Sequence, residues 1–298
     1  MDLHFVVQKE QSRLDTWLTK LGIAGATTYV VHSYQTFQEL KVFFPSQHFQ
    51  LTEDGKRSKG DGIVVIKLYH PIYELFQPRG DLAVDAFKKK LHLKKHVFLF
   101  FGFIRKYKGL HNVIKAFKLV ADTRNDVSLL ICGESFWDTL NSKKFLTKLK
   151  KLGFSLTKFL FLKRKDDERN YNPLNLIEAL GLQDVVTVVN KFIPNEDVYQ
   201  YFQVSNCTVL YYTAATSSGI ESLSYHFGLP ILATKVGHFT ETVQEGVNGY
   251  LAEPEDVLSM AQTMLKLLEH PIPCKKVKEA AKQLSWQRYA EAILAASI

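Results

Sequence analysis

The stretch FFGFIRKYKGL, residues 100–110, ends an apolar run and then places three cations around a tyrosine before a glycine. Ligands of open parallel α/β sheets bind beyond the carboxyl ends of the strands. Gly102 would permit close approach of a ligand to the backbone. Arg105 and Lys108 would hold a diphosphate, and Gly109 would let the next helix begin against it. A single glycine and two cations are weakly specific, and an ordinary basic turn between a strand and a helix also explains the stretch, so both interpretations stay open.

A second candidate is the small-residue loop before a predicted helix in TAATSSGIESLSYHFGLPILATKVG, residues 213–237. Ser217, Ser218 and Gly219 would present hydroxyl and backbone N–H groups at the helix N-terminus, which is a natural anion site. One turn later, Glu221 would accept hydrogen bonds from ribose hydroxyl groups. The alternative is a capped helix, with one of the serines as N-cap and the glutamate completing a capping box.

A third candidate is Gly133, which ends the apolar run in LLICGES and is expected to border the same cleft as Gly102.

The residue types that support catalysis or metal binding are scattered along the chain. The ten histidines lack metal-ligand spacing. The three cysteines show no zinc or disulfide pattern, which fits a reducing cytosol. We therefore expect no metal site.

The elements that must position these residues follow an α/β order from about residue 95 onward. Helical patterns alternate with five apolar runs that are predicted as strands, namely VFLFFGFI, VSLLICG, VVTVVNKF, CTVLYY and PILATKV. Nearly continuous apolar runs are typical of parallel strands that helices cover on both faces. The predicted fold class is therefore α/β, with one complete Rossmann-like domain built on a parallel sheet.

The first eighty residues contain fewer elements. TTYVVHS and IVVIKLYHP are predicted as strands, and the helix YQTFQELKVFF lies between them. A doubly wound domain usually takes about 100 to 150 residues, so these elements are too few to complete one. They form either a small extra subdomain or the later part of a domain.

Composition limits the possible partners. Of 298 residues, 46% are hydrophobic, which excludes disorder as the main state. The surplus of 38 basic over 30 acidic side chains favours an anionic partner. No apolar stretch approaches the ~20 residues that cross a bilayer, and MDLHFVVQKEQ lacks the apolar core of a signal peptide.

Residues 143–169 carry much of the positive charge, with ten Lys or Arg against three acids. Such a run is usually a solvated face. Its mixture of Phe, Leu and Lys also suits an interfacial segment that docks on anionic lipid. Contact with the inner face of a membrane is therefore an open expectation for an otherwise cytoplasmic protein.

Four segments in one order carry more information than any one of them: FFGFIRKYKGLHNVIKAF, SLLICGES, VVTVVNKFIPNEDVYQYFQVSNCTVLYY and SSGIESLSYHFGLPILATKVGHFTETVQEGVNGYL. Together they resemble the C-terminal, donor-binding half of GT-B glycosyltransferases of the retaining family 4, over about residues 91–298. Residues 1–80 are similar to the closing part of that family's N-terminal domain.

The resemblance implies two Rossmann-like domains facing across a cleft, a nucleoside diphosphate sugar as donor, and no required metal. Gly102, Lys108 and Gly109 match the family's glycine and lysine-glycine after the first strand. Lys108 is therefore expected to bind the donor diphosphate.

Further positions follow from the same resemblance. Ile193 and Pro194 are expected near the nucleotide base, and the turn from Ser217 to Gly219 is expected to give N–H groups to the phosphates. A diphosphate whose charge is neutralised is a better leaving group, which is the electrostatic help that the reaction needs.

The chain departs from the family at several positions. Phe103 stands where the family has an arginine after the strand glycine, so Arg105 must substitute for it. The family's paired glutamates align with Ala215 and Leu223, neither of which is acidic. Glu221 is the nearest acid, and on a helix its two-residue offset turns it roughly 200° away from position 223.

These expectations combine into a glycosyltransferase that moves a sugar from a nucleoside diphosphate sugar to a glycan or lipid-linked acceptor. The predicted units are residues 1–80, a partial acceptor-side domain, residues 81–284, the donor domain, and residues 285–298, a helix packing back toward the N-terminal part. From the resemblance, about a hundred residues of the family's first domain, which form its acceptor site and hold a catalytic histidine, are expected to have no counterpart here.

Three alternatives stay open, and no nucleic-acid partner is expected. In the first alternative, the chain is a truncated or degenerate nucleotide-sugar-binding protein without activity. In the second it is a split subunit that needs a partner, and in the third it is another GT-B enzyme such as a nucleotide-sugar epimerase.

Overall fold

The computed structural model describes residues 1–3, 13–57, 61–135, 171–215 and 218–296. The strands are β1 (Asp2–Leu3), β2 (Thr28–Val31), β3 (Phe49–Thr52), β4 (Ile63–Lys67), β5 (His96–Phe101), β6 (Val127–Cys132), β7 (Val186–Val189), β8 (Cys207–Leu210), β9 (Ile231–Thr234) and β10 (Gly249–Ala252). The helices are α1 (Arg13–Ile23), α2 (Tyr34–Phe43), α3 (Val84–Lys90), α4 (Leu110–Ala121), α5 (Asn175–Ala179), α6 (Val198–Gln203), α7 (Gly219–His226), α8 (Phe239–Thr242), α9 (Val257–Glu269), α10 (Cys274–Ala281) and α11 (Trp286–Ala296). Across these ranges, none of the helices is both long and apolar enough to span a bilayer. The basic segment 143–169 lies outside the described residues.

Strands β5 to β10 form a parallel sheet in the order β10-β9-β8-β5-β6-β7 within the described residues, and we name it the C-terminal sheet. Strands β5 and β6 pair from His96 opposite Val127 to Phe101 opposite Cys132. Strand β5 also pairs with β8, so the order of the strands reverses between these two. This position is a topological switch point, where sheets of this kind bind ligands beyond the strand ends.

The apolar residues of strand β5 pack on both faces of the C-terminal sheet. Phe98 and Phe100 pack in a core cluster with residues of α4 and α9, whereas Val97 and Leu99 pack in a second cluster with residues of α6 and α7. Successive strand residues point to opposite faces, so a continuous apolar run requires two cores. The predicted α/β class is confirmed, and all five predicted strands form, although they end before their apolar runs do.

Strands β1 to β4 form a second parallel sheet, the N-terminal sheet, in the order β1-β2-β4-β3 within the described ranges. Helix α2 begins where the Ser33 side chain accepts a hydrogen bond from the Thr36 N–H (3.0 Å) as its N-cap. Phe37 and Leu40 of this helix then pack with Tyr29 of β2. The two strands and the helix predicted in this region therefore form, and β1, β3 and α1 accompany them.

Helix α11 packs against the N-terminal sheet. Ala292 and Ala296 join a small apolar cluster with Val30, Val64 and Ile66 of β2 and β4. These contacts hold the C-terminal helix against β2 and β4.

A polar contact joins the two sheets on another side. Glu241 of α8 accepts hydrogen bonds from the backbone N–H of Tyr34 (2.8 and 3.0 Å), the first residue of α2. Lys67, at the end of β4, lies 3.7 Å from Glu241 Oε2 and 3.2 Å from Glu53 Oε1. A carboxylate at a helix N-terminus is favourable, so this contact holds α2 beside α8.

Candidate functional site

The chain turns at Gly102, directly after β5. Its N–H donates to the Cys132 carbonyl oxygen (2.8 Å), so the pairing with β6 continues to this residue. Its φ of +96° lies in the left-handed region that favours glycine. A Cβ at this position would lie 2.8 Å from Lys108 Nζ. Gly102 therefore leaves the space in which the Lys108 ammonium group lies.

A 3-10 turn over Lys106–Lys108 brings Lys108 back over the end of β5. Gly109 follows with a φ of +66°, and a Cβ there would overlap the carbonyl oxygen of Tyr211 just after β8. Helix α4 then starts at Leu110. The glycine lets the turn approach β8 closely, so Lys108 lies at the switch point of the sheet.

Lys108 is a buried cation, with 8% of its surface exposed. Burial, and secondarily the positive charge of Arg105, lowers the pKa of Lys108 to about 8. Its Nζ lies 5.9 Å from the centre of the Tyr212 ring. In the part of the chain that the structure describes, no carboxylate contributes to its pKa or forms an ion pair with it. A buried charge without a counter-ion is unfavourable, so Lys108 indicates a binding site for an anion.

Helix α7 supplies backbone donors beside this lysine. Ser218 is the N-cap residue, with no side-chain capping bond, and Gly219 is the first helical residue. The Glu221 N–H donates to the Ser218 carbonyl oxygen (3.1 Å). The N–H groups of Gly219 and Ile220 come earlier in the first turn, where a helix has no internal acceptor for them. Ile220 Cδ1 would lie 3.7 Å from a Cβ at Gly102, so this N-terminus lies close to the end of β5.

These elements surround a cavity of about 430 Å³ at the carboxyl edge of the C-terminal sheet, a size typical of small-ligand sites. The predicted site residues that line it are Gly102, Lys108, Gly133, Ile193, Ser218 and Gly219. The predicted site residues that do not line it are Arg105, Gly109, Pro194 and Glu221. Ser217 lies outside the described residues. The structure thus brings together residues from four separate segments of the chain.

The β7 side of the cavity contains an apolar cluster. Ile193 is buried, and it packs in one cluster with Val198 of α6 and Leu223 of α7. All three residues line the cavity. Such a surface suits the flat face of a nucleobase. Pro194 precedes the 3-10 turn Asn195–Asp197 and does not itself line the cavity.

The Glu221 side chain contacts His238. The His238 Nε2–H donates to Glu221 Oε2 (2.6 Å), and both side chains are buried. Burial, and then the charge of Glu221, raises the pKa of Tyr225 well above its usual value. The capping box considered for Ser218 is absent among the described residues, because Ser218 makes no side-chain cap and the glutamate pairs with a histidine instead.

Sequence reasoning missed lining residues from the segment that connects the two sheets. Tyr73 and Phe76, between β4 and α3, line the cavity. A Cβ at Gly219 would lie 2.7 Å from Tyr73 Cε2, so the tyrosine ring covers the start of α7. Glu134, directly after Gly133, also lines the cavity. The only sequence signals were an aromatic pair in YHPIYELF and an acid next to a strand-ending glycine.

Exposed aromatic side chains also line the cavity. Phe103 is 51% exposed, Tyr107 is 44% exposed and Phe192 is 62% exposed. Phe103 occupies the position at which the resemblance expects an arginine, and Arg105 does not line the cavity. Near Lys108 the site therefore offers apolar surface in place of a second lining cation from this turn.

Fold and site together define a class of protein. A parallel sheet covered on both faces, with a buried lysine and a helix N-terminus at its switch point, has the architecture of a nucleotide-binding domain. The fold with both sheets is similar to GT-B proteins. Sucrose-phosphate synthase from Thermosynechococcus elongatus aligns with a TM-score of 0.67 and 18% identity, over 99% of this chain and 65% of that chain. Anabaena HepE in complex with UDP-glucose aligns with a TM-score of 0.62 and 17% identity, over 99% and 69%.

The family described as Glycosyl transferases group 1 matches residues 83–284, and the chain belongs to this family. Spore coat protein SA of Bacillus subtilis is 25% identical over 243 residues, 78% of this chain and 55% of that protein. D-inositol 3-phosphate glycosyltransferase of Mycolicibacterium smegmatis is 30% identical over 134 residues, 41% of this chain and 28% of that protein. The matched part is thus about half of the first relative's length and less of the second's. The family expected from the four ordered segments is confirmed.

Proposed function

We propose that this chain binds a nucleoside diphosphate sugar in the 430 Å³ cavity and transfers its sugar to a glycan or lipid-linked acceptor, with retention. The observation that carries the proposal is Lys108, a buried ammonium group with no carboxylate partner among the described residues, located beside a helix N-terminus. Family membership supports the class of reaction.

The proposed site has two parts. Lys108 and the N–H groups of Gly219 and Ile220 hold the diphosphate, because both carry positive charge toward the same space. Ile193 and its apolar neighbours hold the base. Gly102 and Gly133 line the cavity where the backbone must approach the ligand.

The other predicted residues take indirect roles in this proposal. Gly109, Pro194 and Arg105 belong to the turns that shape the cavity, and Arg105 adds positive potential near Lys108. Glu221 acts through His238, which joins α7 to the turn before α8. Ser217 is kept in the proposal as a phosphate ligand.

The electrostatics fit the departure of a diphosphate. When the bond between the anomeric carbon and the diphosphate oxygen breaks, negative charge grows on that oxygen. A buried ammonium group and oriented N–H groups on the cavity wall stabilise this charge without reorganising. Lys108 therefore lowers the barrier most when it is protonated.

The donor and setting are proposed as follows. HepE, which has a similar fold, forms a complex with UDP-glucose, so uridine nucleotides are the first donors to test. We assign residues 1–80 to the acceptor side, residues 81–284 to the donor domain and residues 285–298 to a helix that returns to the acceptor side. The protein would work in polysaccharide biosynthesis in the cytoplasm, with residues 143–169 contacting anionic membrane.

A second candidate is a nucleotide-sugar-binding protein without turnover, or a subunit completed by a partner. Ala215 and Leu223 favour it, because both line the cavity where the resemblance expects glutamates and neither offers a carboxylate to a sugar hydroxyl. The structure gives these positions apolar surface instead.

Turnover separates the two candidates. We would incubate the chain with UDP-glucose or GDP-mannose, with and without glycan and lipid-linked acceptors, and measure the release of UDP or GDP. Release that depends on acceptor and is lost in Lys108→Met supports the transferase. Calorimetric binding without release favours the second candidate, and neither binding nor release contradicts both.

A further inference from the structure

Glu134 follows β6 at a point where hydrogen bonds hold the backbone on both sides. Its carbonyl oxygen accepts a hydrogen bond from the Ile104 N–H (2.9 Å). The next residue, Ser135, donates its N–H to Asn190 Oδ1 (3.1 Å). Ile104 and Ser135 also form an isolated parallel bridge. The position of Glu134 on the cavity wall is thus set by strand pairing that continues past β5 and β6.

Gly133 brings this glutamate close to Gly102, the glycine that precedes the Lys108 turn. It has a φ of +148°, and a Cβ there would overlap the Gly102 carbonyl oxygen. The ends of β5 and β6 are therefore in backbone contact. Glu134 and Lys108 consequently line the same cavity from adjacent strand ends.

The charge of Glu134 decides which part of a ligand it can meet. Among the described residues that line the cavity it is the sole carboxylate, and Lys108 and Lys191 are the cations. A carboxylate repels phosphate oxygens, so it cannot share the diphosphate with Lys108. A carboxylate on this wall suits a neutral group that donates hydrogen bonds, and the hydroxyl groups of a nucleotide sugar are such donors.

The strand order identifies those hydroxyl groups. Along the sheet edge the cavity meets, in turn, Gly219 after β8, Lys108 after β5, Glu134 after β6 and Ile193 after β7. With the diphosphate at Lys108 and the base beside Ile193, the group between them is the ribose. In dinucleotide-binding Rossmann sheets an acid that follows the phosphate-binding turn likewise hydrogen-bonds the ribose 2′-hydroxyl.

No other carboxylate among the described residues lines the cavity. Glu221, the acid first considered for the ribose, is paired with His238. Ala215 and Leu223 line the cavity without polar atoms in their side chains.

We infer that the Glu134 carboxylate accepts hydrogen bonds from the ribose hydroxyl groups and so selects ribonucleotides over 2′-deoxyribonucleotides. The inference rests on the proposed nucleotide site. Glu134 is a specificity-determining residue for that site. A hydrogen bond from a hydroxyl group to a charged acceptor accounts for about a tenfold difference in affinity or more.

The test measures ribose preference by calorimetry. Wild type, Glu134→Ala and Glu134→Gln are titrated with UDP, GDP and ADP and with the 2′-deoxy form of whichever binds most tightly. Glu279→Gln is the matched control, because Glu279 is exposed and pairs with Lys282 on the surface.

We expect wild type and the control to prefer the ribonucleotide about tenfold or more. Glu134→Ala should bind the ribonucleotide at least as weakly as wild type binds the 2′-deoxy form and should lose the preference between the two. Glu134→Gln, which keeps one neutral acceptor, should lie between. Equal binding of the two sugars by wild type, or an unchanged preference in Glu134→Ala, overturns the inference and leaves the nucleotide site standing. Failure of wild type to bind any nucleotide overturns the proposed function itself.

Discussion

Replacing Lys108 with methionine removes the buried charge and keeps a side chain of similar length. Burial lowers the pKa of Lys108 from 10.5 to about 8. One pKa unit corresponds to about 1.4 kcal/mol, so charging Lys108 costs about 3 kcal/mol more in the folded protein than in the unfolded chain. At pH 7 the lysine is charged in both states, and this penalty is fully present. We therefore expect Lys108→Met to raise the free energy of unfolding by up to about 3 kcal/mol.

The expected gain depends on pH in a defined direction. Because the pKa of Lys108 is lower in the folded protein, the unfolded chain binds more protons between about pH 8 and 10.5. The stability contributed by this residue in wild type therefore rises with pH across that window. The advantage of Lys108→Met should fall to less than half of its pH 7 value by about pH 9.5.

Urea unfolding followed by circular dichroism at pH 7 and pH 9.5 measures both effects. Lys115→Met is the matched control, because Lys115 is exposed on α4, the helix that follows the Lys108 turn. It should change the free energy of unfolding by no more than about 0.5 kcal/mol. If Lys108→Met is no more stable than wild type at pH 7, or its gain is the same at both pH values, Lys108 carries no uncompensated buried charge.

Three further predictions concern binding, the turn and the contact between the sheets. Affinity for UDP should fall as pH rises above about 8, because Lys108 is then mostly neutral in the free protein. Calorimetry in buffers of different ionisation enthalpy should detect the proton that Lys108 takes up when UDP binds. Gly109→Ala should destabilise the fold by more than about 2 kcal/mol, because its Cβ would overlap the Tyr211 carbonyl oxygen. Gly181→Ala, at φ +64° with open space around it, should cost only the backbone strain of about 1 kcal/mol. Equal losses in urea unfolding would show that the close approach of the turn to β8 does not contribute to stability. Glu241→Ala leaves the Tyr34 N–H without its charged acceptor and should cost about 2 kcal/mol in the same assay, and unchanged stability would show that this contact does not hold the sheets together.

The strands of the C-terminal sheet could be predicted because a short stretch of sequence is enough to specify each of them. Parallel strands buried on both faces need unbroken apolar runs, and the five runs gave five strands. The apolar runs extend beyond the ends of the strands, because residues such as Phe103 and Tyr212 follow the last paired residue and line the cavity. Strands β3 and β10 lie at sheet edges, and each has only four residues, FQLT and GYLA, with little apolar pattern.

The site was predictable only in part, because side-chain direction depends on distant partners. Glycine and lysine after β5 follow from the strand that precedes them. Glu221, by contrast, faces His238, which lies 17 residues further along the chain. Tyr73 reaches the cavity from the connection between the sheets, and no local pattern shows where that connection crosses α7.

Titration calorimetry at pH 7 of wild type, Lys108→Met and Lys115→Met with UDP, GDP and their sugars tests the donor site most directly. We predict that at least one of these nucleotides binds wild type and Lys115→Met with equal affinity. Lys108→Met should bind it about tenfold more weakly or worse, because a charge-assisted contact to the diphosphate is lost. Equal affinity in Lys108→Met, or no binding by wild type, would contradict the account.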